Sequence, residues 1–315
     1  MKHRTRLALA LAAAMSLSSV STTAEQQGDL AFEFDVAEPA HVEGEGPRVL
    51  VDEAHCNFHT AEARYRPFTQ LLRRDGYRVA PSAASLSSEA LGAADVLVIA
   101  NALGEAQCEE WKLPTASAFG DEEIEALASW VEMGGSLLLI ADHMPFPGAN
   151  SDLARAFGLA FIDGYARADA GGPEIRFERA TGTLAEHPVT DGRSDKERVE
   201  TVTSFTGQGF RALDDSVVSL MTLPAGTTVH MTFEAGEFED TTPRFSAEGL
   251  LQGALVRHGR GRVAVFGEAA MFTAQELERD GTVFRFGMNA PGAERNAQFL
   301  LNVMHWLTGL LEPDG

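Results

Sequence analysis

The sequence predicts a doubly wound α/β domain, a parallel sheet with helices on both faces. Short apolar runs alternate with amphipathic stretches at three- and four-residue spacing, and several of these stretches stop at glycine. The apolar runs also end abruptly in polar or ionisable residues, as buried parallel strands do where the chain leaves the core.

The elements follow in chain order. Val49-Leu50-Val51 is a buried strand that stops at Asp52. Thr60 can cap a helix with apolar positions at Ala61, Tyr65, Phe68, Leu71 and Leu72, and Gly76 can end it in the left-handed conformation. Arg78 to Ala80 is a second strand, Leu86 to Ala94 a helix, and Asp95 to Ala100 a third strand running into Asn101. Asp121, with Glu122 and Glu123, makes a capped helix start suited to the positive end of the helix dipole, and Ile124, Leu127, Trp130 and Val131 form its apolar stripe. Gly134-Gly135 stops that helix, and Ser136 to Ile140 is a fully apolar strand ending in Ala141-Asp142-His143. A helix from Ser151 to Phe157 precedes β-rich material over residues 159–250, an insertion in the same domain. Gly261 to Gly267 is the last strand of the sheet, ending at Glu268, and Asn296 to Leu310 is the closing helix.

Composition bounds the function. Of 315 residues 44% are hydrophobic, enough for one large domain or two small ones. The net charge of -21 opposes nonspecific attraction to nucleic acid or anionic lipid. Residues 1–24 carry Lys2, Arg4 and Arg6, then an apolar stretch from Leu7 to Val20, then small residues to Ala24. That is the pattern of a secretory signal peptide, shorter than a comfortable bilayer span, and it implies a periplasmic or secreted protein. Residues 25–46 read as a flexible lead-in and 47–311 as a single domain. In an oxidising compartment the even count of Cys56 and Cys108 favours a disulfide, the competing reading being two separate thiols.

In an open parallel sheet, ligands bind beyond the carboxyl ends of the strands, where loops converge outside the packed core. Asp52, His55 and His59 follow the first strand, Asn101 the third, Asp142 and His143 the fourth, and Glu268 the last. Imidazole and carboxylate together suit Zn, Mn or Fe, so Asp52, His55, His59, Asp142 and His143 are candidate metal ligands. A bound metal would turn a coordinated water into a hydroxide nucleophile. Without metal, Asp142 and Glu268 form a carboxylate pair whose repulsion leaves one acid and one base, with His143 beside them as a third catalytic candidate. Each residue also has a plainer reading. Asp52 can bridge loop backbone, His55 and His59 can be solvated loop histidines, and Glu268 can cap the segment that follows it. Thr206 and Gln208, in Thr203-Ser204-Phe205-Thr206-Gly207-Gln208-Gly209, can face the rim from the insertion, although a turn explains them equally well. His187 belongs to a structured turn around His187-Pro188-Val189. The G-x-S-x-G elbow, the G-x-x-x-x-G-K-[ST] phosphate loop and H-E-x-x-H are all missing, which disfavours serine hydrolase, P-loop NTPase and zincin chemistry.

Phe119-Gly120-Asp121-Glu122-Glu123, continuing through Trp130-Val131-Glu132-Met133-Gly134-Gly135 to the strand ending in Ala141-Asp142-His143, resembles class I glutamine amidotransferase-like domains, in particular the DUF4350 branch. Val51-Asp52-Glu53-Ala54-His55-Cys56-Asn57, His187-Pro188-Val189 and the Gly261 to Glu268 strand fit the same template. The resemblance implies a flavodoxin-like sheet. Amidotransferases of this class carry a cysteine nucleophile at a sharp turn after a central strand, with a His and Glu pair near the C-terminal end. Here neither cysteine stands at such an elbow and Glu268 has no neighbouring His, so thioester chemistry on glutamine is not expected. The expected function is an exported small-molecule enzyme, a metal-assisted hydrolase. The alternative is a non-catalytic module binding a carbohydrate or peptide in the same cleft.

Overall fold

The computed structural model describes residues 26–311. The strands are β1 (Gln27–Gly28), β2 (Arg48–Asp52), β3 (Arg78–Ser82), β4 (Val96–Ala100), β5 (Ser136–Ile140), β6 (Leu159–Phe161), β7 (Tyr165–Ala168), β8 (Glu174–Glu178), β9 (Thr201–Phe205), β10 (Phe210–Ala212), β11 (Val217–Thr222), β12 (Thr227–His230), β13 (Arg244–Ser246), β14 (Leu251–His258), β15 (Gly261–Phe266), β16 (Ala274–Arg279) and β17 (Thr282–Gly287). The helices are α1 (Arg66–Arg74), α2 (Ser88–Leu91), α3 (Asp121–Glu132), α4 (Phe146–Ala149), α5 (Ser151–Ala156), α6 (Pro188–Asp191) and α7 (Asn296–Leu307).

The main sheet runs β3-β2-β4-β5-β15-β14-β10-β6, with β11 also paired to β14. Its first five strands are mutually parallel. Taken in chain order they are arranged 2-1-3-4-5, the flavodoxin-like order. Alternation along each strand divides the core between the two faces of the sheet. Val96, Val98, Leu138, Ile140, Ala264 and Phe266 join the core that α1 and α7 cover, whereas Leu97, Ile99, Leu137, Leu139, Val263 and Val265 join the core under α3 and α5. Because both faces are covered, the strands read as continuous apolar runs. Gly261 is required at the start of β15, where a Cβ would lie 2.1 Å from the Val131 carbonyl oxygen and 2.2 Å from that of Gly135.

The 159–250 segment divides its strands. β6, β10 and β11 extend the main sheet, β7, β12 and β13 form a three-stranded sheet, and β8 pairs with β9. β16 and β17 form a hairpin that takes β1 on its free edge.

Several expected elements change. α1 starts at Arg66 rather than after Thr60, because residues 60–65 are spent on turns: the Ala63 and Tyr65 amides both donate to the Thr60 carbonyl. α2 is the single turn Ser88–Leu91, capped by the Ser87 side chain. Gly120, not Asp121, occupies the N-cap of α3. The lead-in is docked rather than free over its described part: β1 pairs with β16, the Ala40 amide donates to Asp75 at 2.7 Å, and Phe32, Phe34 and Val36 pack against the core. The targeting segment expected over residues 1–24 lies outside the described residues. Among the described residues no helix is long and apolar enough to cross a membrane.

Candidate active site

β5 and β15 are adjacent and parallel, with Ile140 opposite Phe266. The Ala141 amide extends that pairing by donating to the Phe266 carbonyl at 3.0 Å. Asp142 and Glu268 each stand two residues past the Ile140–Phe266 pair, so they leave neighbouring strands at the same level. Both are buried, Glu268 completely and Asp142 to 8% exposure. Asp142 accepts the amides of His143 (2.7 Å) and Ala269 (3.2 Å), and Glu268 accepts those of Ala270 (2.7 Å) and Met271 (2.8 Å). Burial raises the pKa of Asp142 above the ordinary 3.8 against these bonds and the nearby His143. Burial and then the charge of Asp142 push Glu268 well above the ordinary 4.5. The pair therefore holds a proton at a pH where exposed carboxyls are ionised.

A cavity of about 290 Å³ opens over this pair, lined also by His143, Tyr165, Arg167, Thr206 and Phe238. His143 lies flat against Tyr165, with ring centroids 4.2 Å apart and planes at 15°. Its Nδ1 is 2.9 Å from the Met144 carbonyl, which can only accept. Nδ1 therefore carries a proton, and in the neutral tautomer the lone pair is at Nε2. Thr206 adopts φ 78°, a left-handed conformation that a β-branched residue rarely occupies. Its amide donates to the Pro173 carbonyl at 2.7 Å, and Gly207 after it passes so close to β15 that a Cβ would lie 2.3 Å from the Gly267 oxygen. This crossing carries Thr206 over the end of β15. A second hollow of about 430 Å³ brings together Glu234, Glu237 and Glu239, with no histidine in its lining.

The other predicted site residues lie elsewhere, and the five proposed metal ligands do not form one centre. Among the described residues no group of three or more His, Cys, Asp and Glu side chains is placed to hold a metal ion. His55 Nδ1 meets Asp52 at 2.9 Å and its Nε2 meets Glu123 at 3.2 Å, so both ring nitrogens are taken. Burial opposes a charge on His55, but Asp52 and then Glu123 outweigh it and raise its pKa above 6.5. Asp52 also accepts the Ala54 amide and the Asn57 side chain, so it braces its own loop. Glu123 was missed as a partner because it comes from α3, where its carboxylate also accepts the Gly120 and Leu86 amides.

His59 is buried, not solvated. Asn101, at φ 53°, accepts the Asp142 amide on Oδ1 and offers its Nδ2 to His59 Nδ1 at 3.1 Å. The other ring nitrogen faces the Gln275 amide at 3.2 Å. Burial, then Arg64 and His143, lowers the His59 pKa to about 3, and the ring is neutral. Asn101 therefore supports Asp142 from behind instead of lining the pocket. Gln208 is likewise structural: its amide donates to the Ala141 carbonyl at 2.9 Å and accepts the Ile162 amide at 3.2 Å. Cys56 and Cys108 are joined in a disulfide, their Cα atoms 5.7 Å apart. Phe58, Trp111 and Phe146 pack beside it, with ring centroids 4.9 to 5.8 Å apart. These groups fill the region between the ends of β2 and β4, the topological switch point where flavodoxin-like sheets commonly bind ligands. The open pocket is displaced to the β5–β15 junction.

No family model matches the sequence, and no curated protein matches it. Solved structures do. The mmIFT52 N-terminal domain superposes with a TM-score of 0.56 at 13% identity, covering 83% of this chain and 97% of its own. A ThuA-like protein from Bacteroides uniformis gives 0.49 at 15% identity, covering 86% and 95%. Another from Parabacteroides merdae gives 0.47 at 12%, covering 86% and 93%. At these identities the likeness is one of α/β fold alone and says nothing of the chemistry.

Proposed function

We propose that the chain is an exported enzyme hydrolysing a small, hydroxylated substrate by acid–base chemistry at the β5–β15 pocket. The observation that carries this reading is the convergence of Asp142, Glu268 and His143 on one cavity. Asp142 and His143 are the catalytic residues. Glu268, fully buried beside Asp142, is a positioning residue that sets its charge. In the reaction a water attacks the electrophilic centre and gives its proton to His143 Nε2. The proton held by the carboxyl pair passes through Asp142 to the leaving oxygen. The imidazolium then returns a proton to the pair, which balances the cycle. No step is routed through a metal, since the five candidate ligands point to different partners.

The aromatic walls, Tyr165 and Phe238, favour a sugar-like substrate over a peptide, because a sugar ring offers C–H faces to aromatic rings and hydroxyls to carboxyls. The Cys56–Cys108 bond supports export, and the resemblance of the Phe119 to His143 segment supports placement in the DUF4350 branch. A second reading is favoured by one observation. All four carboxylate oxygens of Asp142 and Glu268 accept backbone amides, an arrangement that also suits a binding module whose acids shape the rim.

Turnover of nitrophenyl glycosides and esters separates the two. The enzyme reading expects hydrolysis by the wild type, a loss of about 100-fold or more in Asp142→Asn and in His143→Ala, and a displaced pH profile in Glu268→Gln. Ligand binding that survives an Asp142→Ala, His143→Ala double substitution, without turnover by any form, establishes the binding module instead.

A further inference from the structure

We infer that Arg167 selects a substrate bearing a carboxylate, so that the pocket takes a small sugar acid in preference to a neutral sugar. The inference rests on the reading of the pocket given above and specifies its substrate class.

Alternation along β7 sets the geometry. Ala166 is buried in the core and Ala168 packs against it, so Tyr165 and Arg167 share the opposite face, and both line the cavity. The Arg167 guanidinium carbon lies 4.6 Å from the centroid of the Phe238 ring. Tyr165 meets that ring edge-on at 5.1 Å and His230 at 5.8 Å, so the surface under the guanidinium is itself braced. Stacking on an aromatic face restrains the fork while leaving its N–H edge able to donate.

Arg167 is the arginine that lines the cavity, and it has no acid partner there. Acidic residues outnumber basic ones by 46 to 25, and several arginines of the fold are paired: Arg73 with Glu62, Arg179 with Asp191, Arg193 with Glu197 and Arg285 with Glu276. Among the described residues Arg167 forms no ion pair. Asp169, just past the end of β7, instead accepts the Thr228 hydroxyl at 2.6 Å. The carboxyls that do share the cavity, Asp142 and Glu268, are engaged with backbone amides and hold a proton between them. That proton reduces the repulsion an incoming anion would meet. The pocket thus offers a planar cationic fork on one wall and a proton-carrying carboxyl pair beneath. A carboxylate matches the fork with two parallel hydrogen bonds, and the hydroxyls of the same molecule match the carboxyls and Thr206.

The test is the binding of D-glucuronate and D-glucose, measured separately by ligand-observed NMR and calorimetry on wild type, Arg167→Met and Arg167→Lys. The wild type should favour glucuronate by about tenfold or more. Arg167→Met should bring the ratio to about one, and Arg167→Lys, which keeps the charge but not the fork, should fall between. Matching thermal melts of the three proteins show that the fold is intact. Equal binding of the two sugars by the wild type, an unchanged ratio in Arg167→Met, or no binding of either sugar overturns the inference. Hydrolysis of neutral substrates that depends on Asp142 in the same preparations shows that the pocket reading stands even where the carboxylate preference fails. Loss of both shows that the two fail together.

Discussion

Asp142 and Glu268 leave adjacent parallel strands at the same level, two residues beyond the paired Ile140 and Phe266, and a hydrogen bond from the Ala269 amide to the Asp142 carboxylate ties the two strand ends together. Neighbouring strands are about 4.8 Å apart, so two acids at one level are forced into each other's field. Burial then prevents water from screening them.

The acid pair makes stability depend on pH. Both folded pKa values lie above the ordinary 3.8 and 4.5, so the native state holds protons that the unfolded chain releases. Stability contributed by the protonated pair is present below those ordinary values and is lost as pH rises through the raised ones. Glu268→Gln should therefore gain stability relative to wild type between pH 4 and pH 7, by about 1 kcal/mol or more. Denaturant melts of the two proteins at both pH values measure it.

The chain Asp52–His55–Glu123 has the opposite charge type and its own window. The folded pKa of His55 is raised above 6.5, so its contribution is complete below 6.5 and disappears as pH rises through the folded value. His55→Ala should cost about 2 kcal/mol at pH 5.5 and less at pH 8.5. A cost that does not change with pH would show that His55 contributes by packing alone.

Gly207 should tolerate no side chain. With φ at 92° and a Cβ placed 2.3 Å from the Gly267 oxygen, Gly207→Ala must move the loop. A loss of about 2 kcal/mol or more is expected, together with weakened ligand binding as Thr206 leaves the pocket wall. Gly171→Ala serves as the control, because that glycine also has a positive φ but meets nothing within 4 Å.

The disulfide closes a separation of 52 residues. Constraining the unfolded chain by a loop of that size stabilises by about 2–4 kcal/mol. A Cys56→Ser, Cys108→Ser double variant should unfold at correspondingly lower denaturant, with the slope of the transition reporting any change in the unfolded state.

The parallel strands were legible in the sequence because each lies fully covered and is written as an unbroken apolar run. The strand-end rule likewise brought Asp142, His143 and Glu268 to one cavity, since their position depends only on where β5 and β15 stop. It misplaced Asp52, His55 and His59 for a physical reason. Their partners, Glu123 and Gln275, lie 68 and 216 residues away, and no local spacing reveals that they turn the side chains inward. Tyr165, Arg167 and Phe238 were missed on the same ground. They reach the pocket only because β7 pairs with β12, which brings the insertion over the end of β5. Strand alternation does place Tyr165 and Arg167 on one face, but not which face meets the site.

The central claim, that Asp142 and Glu268 share a proton above the pocket floor, is tested most directly by carboxyl ¹³C NMR titration, with Asp142→Asn and Glu268→Gln providing the assignments. Both resonances should titrate above the ordinary carboxylate range, and Asp142→Asn should lower the Glu268 pKa by removing the neighbouring charge. Two independent titrations near pH 4, with Glu268 unmoved by Asp142→Asn, would contradict the account and leave the acids as structural caps.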